Sequence, residues 1–589
     1  MSVADLGPNL VAMFDARAVE RGDRPLLWAK QDGSYRPWSW SRVEAESRAI
    51  AATLARAGLE PGDRVLLVSE NRPEWCVADL AVLRAGGVTV PAYTTNTTAD
   101  HAYLLQHSGA RFVVCSGEAL AKRLMPAVAQ VPAVRLVLLM QPVEGWAIPT
   151  ATIAPWEEAL RQGRDAAQVD FAPRLTPDDV ACLIYTSGTG GRPKGVMLSH
   201  RNLMANIRGA WPLLERLDCI EDAVFLSFLP LSHAYEHTVG QFLPLALGGQ
   251  IYYAEGVETL SANLVEARPH ILPCVPRLYE VMRQRILNGV DRQGGLTAKL
   301  FHKAVQLGSK RYEKGSLPLH ERLLDLVLDR LVRAKAKQRF GGRLKGMVSG
   351  GAPLNYEVGL FFAALGLPVA QGYGQTETAP LICVNPPWAA RLHTVGPPVA
   401  GVELRLAEDG EILVRGDCVM RGYWDDREAT ASALRDGWLH TGDIGTLDGQ
   451  NYLTITDRKK DIIVLSGGDN VAPQRIEGTL LLEGEIGQVA VFGDRKPYVA
   501  ALIAPHPDLI REVGREHKND AAAQQEALHK RVAAAVARAN GRLSNLERIR
   551  KFALLPEACT VDNGMMTPTL KLKRHVVRQR YGELLAGLF

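Results

Sequence analysis

A chain of 589 residues is too long for one ordinary hydrophobic core, so at least two domains are expected. Hydrophobic residues at 47% and charged residues at 22% describe a soluble globular chain, and a net charge of +4 gives no argument for nucleic acid. The eight cysteines (Cys76, Cys115, Cys182, Cys219, Cys274, Cys383, Cys418 and Cys559) form no CxxC pair, against a zinc site or disulfide framework and in keeping with a reducing cytosol.

The opening residues lack the basic-then-apolar pattern of a signal peptide. No apolar run approaches the ~20 residues of a spanning helix. Residues 37–115 then alternate helix and strand signals. Val43, Ile50, Leu54 and Ala57 share a helical face that stops at Gly58. Arg64–Val68 reads as a buried strand, Pro73–Ala85 as a helix, Val88–Val90 as a strand, and a further helix ends near Gly109. Phe112–Cys115 and Leu136–Met140 are again strands. This rhythm gives an α/β chain with mostly parallel sheets, covered on both faces, whose ligands sit at the carboxyl ends of strands.

Val180–Ile184, another strand, runs into Tyr185-Thr186-Ser187-Gly188-Thr189-Gly190-Gly191-Arg192-Pro193-Lys194-Gly195. Glycines let backbone N–H groups converge on an anion, and the hydroxyls and Lys194 add donors and charge. A polyphosphate is the natural guest. The loop is not the P-loop of common NTPases, because Lys194 precedes Gly195 and the apolar Val196–Leu198, which reads as a second strand. Ser199 then caps a helix from about His200.

Phe225–Leu229 leads into a Pro-Leu-Ser-His turn carrying His233. From Arg277 to Lys345 there are 17 Lys/Arg and six Asp/Glu, a local balance of +11 that leaves the rest net acidic. Residues 276–345 read as a basic helical insertion, either a set of solvated amphipathic helices or a surface for anionic lipid headgroups. Two strands ending in glycine turns follow: Gly346–Leu354, and Val369–Thr378 with Tyr373, Thr376 and Glu377. Tyr373 offers a flat face to a base, Thr376 a hydroxyl to phosphate, and Glu377 a hard oxygen to Mg²⁺. Asp443 is suited to the two hydroxyls of a ribose. Thr456–Asp461 is a charged stretch between apolar runs and a natural boundary. Beyond it lies a small α+β unit with a strand pair, Val489–Gly493 and Tyr498–Ile503, and an alanine-rich helix near Ala521–Ala539.

The glycine-rich string, with the Gly-Tyr-Gly-x-Thr-Glu, Thr-Gly-Asp and charged-boundary motifs after it, resembles the adenylate-forming superfamily over about residues 10–585. The insertion opening with Val275-Pro276-Arg277-Leu278-Tyr279-Glu280 is similar to the long-chain fatty acid–CoA ligases. Two positions differ: Gly190 replaces a threonine, and Asp469 a lysine near the CoA site. The resemblance implies a large adenylation domain, 1–457, and a mobile C-terminal domain, 458–589, with a hinge at Lys460. It implies two steps, formation of acyl-AMP from a long-chain fatty acid and ATP with Mg²⁺, then thioester formation with CoA, the alternative acceptor being an acyl carrier protein. It further implies ATP/AMP contacts from Thr186, Ser187, Gly188, Thr189, Gly190, Lys194, Gly351, Ala352, Gln371, Gly372, Tyr373, Gly374, Thr376, Asp443, Arg458 and Lys571. Catalytic roles fall to Lys571, Glu377, Thr376 and His233, with Glu377 on the metal. A cytoplasmic protein is expected, with peripheral contact to the anionic inner face of the membrane and a homodimer as further partner classes.

The tail Thr567-Pro568-Thr569-Leu570-Lys571-Leu572-Lys573-Arg574 carries two lysines that an extended chain would send to opposite sides. The resemblance assigns Lys571 to the bridge between acyl carboxylate and α-phosphate. Lys571→Ala should cut adenylation at least about a hundredfold, ~2.7 kcal/mol of barrier, and spare thioester formation from supplied acyl-AMP, while Lys573→Ala is mild. The reverse result in the two half-reaction assays would move the assignment by two residues.

Overall fold

The computed structural model describes residues 3, 6–165, 174–186, 192–256, 258–518, 520–561, 563–567 and 572–589. Ser187, Gly188, Thr189 and Gly190 of the glycine-rich loop, and Lys571, lie outside these residues.

One eight-stranded sheet runs, edge to edge, through Gly422–Tyr423, Lys194–Ser199, Val180–Thr186, Val88–Ala92, Arg64–Val68, Phe112–Cys115, Leu136–Leu139 and Thr152–Pro155. It is parallel from Val180–Thr186 to its far edge and antiparallel on the other side. The strand Arg64–Val68 shows why an unbroken apolar run was needed. Val65 and Leu67 enter one core cluster, Leu66 and Val68 another, so both faces of the sheet are covered. A second eight-stranded sheet runs through Leu381–Asn385, Val369–Gly374, Gly346–Ser349, Ile271–Cys274, Val224–Ser227, Gln250–Tyr253, Pro25–Gln31 and Ser34–Ser39, again parallel except at its two ends. The largest core cluster joins the two sheets. The helix Pro73–Arg84 within it is buried on nearly every side, which explains its lack of a polar face.

Local signals act where they were read. Gly109, at φ +66°, ends the helix Thr98–Ser108. Ser199 caps the helix His200–Arg216: its hydroxyl accepts the Asn202 N–H at 3.3 Å, and Asn202 Oδ1 accepts the Ser199 N–H at 2.8 Å. Residues 276–345 form the expected helices, Pro276–Gln293, Gly295–Lys314 and Leu319–Leu328, with a π-helical turn at Asp329–Arg333 and a last helix Ala334–Arg339.

A five-stranded sheet built around the long strand Trp438–Leu447 ends with Leu453–Arg458. After Arg458 the chain forms a two-stranded ribbon, Ile463–Val464 with Asn470–Val471, and a three-stranded sheet. The expected strand pair is present as Ile486–Phe492 and Ala500–Pro505, and it is antiparallel. The parallel third strand, Lys551–Leu554, was not foreseen. Among the described residues no helix is long and apolar enough to cross a membrane.

Candidate active site

The glycine-rich loop leaves the carboxyl end of Val180–Thr186, and the chain returns as Lys194–Ser199, with Thr186 paired to Lys194. The short strand Gly422–Tyr423 adds to this hairpin, Tyr423 opposite Val196. That edge pairing brings Tyr423 to both sides of the site. Its hydroxyl donates to Glu377 Oε1 at 2.8 Å, and Lys194 Nζ lies 5.1 Å from its ring centroid. Burial, reinforced by the Glu377 charge, pushes the Tyr423 phenol well above its ordinary pKa, so it stays a donor. Lys194 also pairs with Asp426 at 3.3 Å, and Asp426 is fixed by accepting the Ala429 N–H at the start of a short helix.

The second sheet supplies Val369–Gly374 and the 3₁₀ turn Thr376–Thr378 that carries Glu377. Gly374 has to be glycine, because a Cβ there would stand 1.8 Å from the Pro380 carbonyl oxygen. Gly351 sits at φ +80° and turns the chain after Gly346–Ser349. Tyr373 points its hydroxyl at Asp443 Oδ2, 2.7 Å away, and Gln375 Nε2 donates to the same oxygen at 2.7 Å. Arg458 Nε reaches Asp443 Oδ1 at 3.2 Å. A carboxylate has about four acceptor positions. Three are thus taken, so Asp443 can receive one hydroxyl directly, and a second only if Arg458 yields.

These groups line one cavity of about 3030 Å³. Every expected site residue that is described lies on its wall: Thr186, Lys194, His233, Gly351, Ala352, Gln371, Gly372, Tyr373, Gly374, Thr376, Glu377, Asp443, Arg458 and Lys460. The same cavity has an apolar wall formed by Leu213 and Leu214 of the capped helix and Leu217 just after it, Val239 of the π-helical segment Glu236–Phe242, Leu243 at the start of the next helix, and Ile271 and Val348 of the second sheet. Gly346 belongs to that wall, and a Cβ on it would stand 3.1 Å from Ile271 Cδ1 and 4.0 Å from Leu217 Cδ1. His233 also lines this cavity, and its Nδ1 accepts the Tyr235 N–H at 3.1 Å. Its wall residues make the cavity able to hold a nucleotide's base, ribose and phosphates beside an extended alkyl chain.

The charged stretch after the five-stranded sheet is held asymmetrically. Lys459 pairs with Asp409 at 2.5 Å and Glu411 at 3.2 Å, and its N–H donates to the Gly442 carbonyl. Lys460, the next residue, is exposed. Across from it, Asn355 Nδ2 donates to the Gly478 carbonyl at 2.9 Å, and Arg574 pairs with Glu477. Sequence reasoning missed Tyr423, Gln375, Asp426 and the Lys459 pairs. Tyr423 lies within the stretch Met420-Arg421-Gly422-Tyr423-Trp424 and Asp426 two residues beyond it, but only the strand-edge pairing shows which lysine they meet.

Models of the AMP-binding enzyme match residues 14–424, and of the AMP-binding enzyme C-terminal domain residues 460–589. The chain is 34% identical to the long-chain-fatty-acid–CoA ligase FadD15 of Mycobacterium bovis, covering 99% of this chain and 97% of that protein. It is 31% identical to the peroxisomal long chain acyl-CoA synthetase 6 of Arabidopsis thaliana, covering 95% of this chain and 82% of that one. The A domain of the carboxylic acid reductase from Segniliparus rugosus, solved with AMP and a co-purified carboxylic acid, superposes with a TM-score of 0.77 at 22% identity, covering 100% of this chain and 95% of that structure. At that identity the likeness is one of fold.

Asp457, beside Arg458, gives the arrangement a pH dependence. Its Oδ1 accepts the Arg458 N–H at 2.6 Å, while Oδ2 is buried with no hydrogen-bond partner among the described residues. Burial raises its pKa from 3.8 to about 6. The folded chain therefore holds this proton more tightly than the unfolded chain, and stability is lost as pH rises from about 4 through about 6. Asp457→Asn should raise Tm at pH 7, with the gain vanishing near pH 4. An equal gain at both pH values, or none at pH 7, contradicts this origin.

Proposed function

The chain belongs to the AMP-binding enzyme family, and from that premise we propose that it is a long-chain fatty acid–CoA ligase working through an acyl-AMP intermediate. The observation that carries this reading is the shared cavity, whose wall includes both polar groups suited to a nucleotide (Tyr373, Asp443, Lys194 and Glu377) and the apolar residues suited to an alkyl chain. In the first step a carboxylate oxygen of the fatty acid attacks the α-phosphorus of ATP, the bond to the β-phosphate oxygen breaks, and pyrophosphate leaves. In the second step the CoA sulfur attacks the acyl carbonyl, AMP leaves with the bonding pair, and the thiol proton is released.

The proposed roles follow from the side chains. Tyr373 presents its ring to the base, and Asp443 with Arg458 holds the ribose. Thr186, Ser187, Gly188, Thr189, Gly190 and Lys194 gather the phosphates, with Thr376 adding a hydroxyl and Gly351, Ala352, Gln371, Gly372 and Gly374 contributing the nucleotide-side backbone. His233 lies beside the acyl carboxylate, and Lys571 neutralises charge as the two anions meet. Glu377 suits Mg²⁺, which binds through few carboxylates and the substrate phosphates; its contact with Tyr423 uses one oxygen only. Bound there, the ion would neutralise phosphate charge. The division at Arg458, with Lys460 as the pivot and 458–589 as the mobile unit, belongs to the same proposal, as do a cytoplasmic location with peripheral contact to the anionic inner face of the membrane, and a homodimer.

Incubating the protein with ATP, Mg²⁺, palmitate and CoA tests the reading: palmitoyl-CoA, AMP and pyrophosphate are expected. Acyl transfer only to a carrier protein would replace CoA as the acceptor. In this assay Glu377→Ala should reduce pyrophosphate release by at least about a hundredfold while palmitate still binds. Gly346→Met should lower kcat/KM for palmitate about tenfold or more and leave octanoate nearly unchanged, since the added side chain fills only part of the apolar space. Equal losses for both acids would remove Gly346 from the acyl wall.

A further inference from the structure

The helix Leu319–Leu328 buries two residues, Leu328 in a small apolar cluster with Ala304 and Leu307, and Asp325. Its inward residue Asp325, nearly fully buried, pairs with Arg333 at 2.5 Å and Arg311 at 2.7 Å. Arg333 is fully buried and also donates to the carbonyls of Ala304 and Ala364. These ionic and hydrogen-bonded anchors fix the rotation of the helix against Gly295–Lys314. The opposite face carries Leu319, Leu323, Leu326 and Val327, spaced i, i+4, i+7 and i+8, with Leu331 one turn further. They are 81%, 69%, 63%, 52% and 48% exposed. A stripe that would ordinarily be core thus faces outward, while charges are taken inward.

We propose that this face is a membrane-docking surface whose leucines enter the acyl region of an anionic bilayer. Charge complementarity selects the occupant. Exposed Arg322 and Arg330 flank the stripe, and Lys335 and Lys337 follow it, within an insertion whose balance is +11. Such cations meet anionic headgroups while the apolar side chains pass below them. The same charge would repel a second copy of the face. The inference deepens the peripheral contact proposed above and rests on it. It replaces a purely electrostatic attachment by an insertion that persists in salt.

The test is cosedimentation of the full chain with phosphatidylcholine vesicles, with and without phosphatidylglycerol, at low and high salt. Wild type should bind the anionic vesicles and keep part of that binding in high salt. Leu323→Gln/Leu326→Gln should lose binding about tenfold or more and abolish the salt-resistant part, while ATP-dependent activation of palmitate in solution is unchanged. Leu323→Trp should shift its fluorescence to the blue on anionic vesicles. Absence of wild-type binding would overturn the peripheral contact and this inference together. Wild-type binding that the double variant retains would overturn the inference alone. A dimer by light scattering that the double variant dissociates would assign the face to a second copy and also overturn it.

Discussion

The carboxylate of Asp443 is the point on which the arrangement depends. It is buried at 3% exposure and takes two donors from the second eight-stranded sheet and its following turn, Tyr373 and Gln375, and one from Arg458 at the last strand of the five-stranded sheet. A buried carboxylate left without donors would be strongly disfavoured. The three bonds therefore set the relative placement of the two sheets at the cavity and fix the residue from which the chain departs toward Lys460. Because Oδ2 is fully engaged, the free acceptor position belongs to the oxygen shared with Arg458. The free acceptor position and the start of the segment toward Lys460 thus meet on one atom.

Much of this was legible because it is local. A strand buried on both faces needs an unbroken apolar run, and Arg64–Val68 and Phe112–Cys115 have one. A helix start needs a hydroxyl cap, and Ser199 supplies it. Glycines that permit a tight approach leave a pattern, and Gly374 sits where the Pro380 carbonyl admits no side chain. The pairing of distant edges leaves no such trace. Tyr423 meets Lys194 and Glu377 only because a two-residue strand joins the edge of the glycine-loop hairpin. The strand Lys551–Leu554 is short and half-exposed, without the alternation that would announce it. In the insertion the charge excess could be counted, but periodicity reveals that a helix has a face, not whether that face is covered. Only the burial of Leu328, Asp325 and Arg333 shows that Leu319, Leu323, Leu326 and Val327 lie on the uncovered side.

The two ends of the nucleotide site differ in how firmly they are set. Asp443, Tyr373 and Gln375 are packed and hydrogen-bonded to one another, so this end of the cavity wall is already formed. Lys194 is held by Asp426 in a pair whose side chains are 42% and 35% exposed. Pairs of that kind contribute at most about 1 kcal/mol. Lys194 can therefore leave Asp426 for a competing anion at little cost. Asp426 itself is fixed by accepting the Ala429 N–H. A buried pair would hold Lys194 more firmly, but at a desolvation cost that this half-exposed pair does not carry.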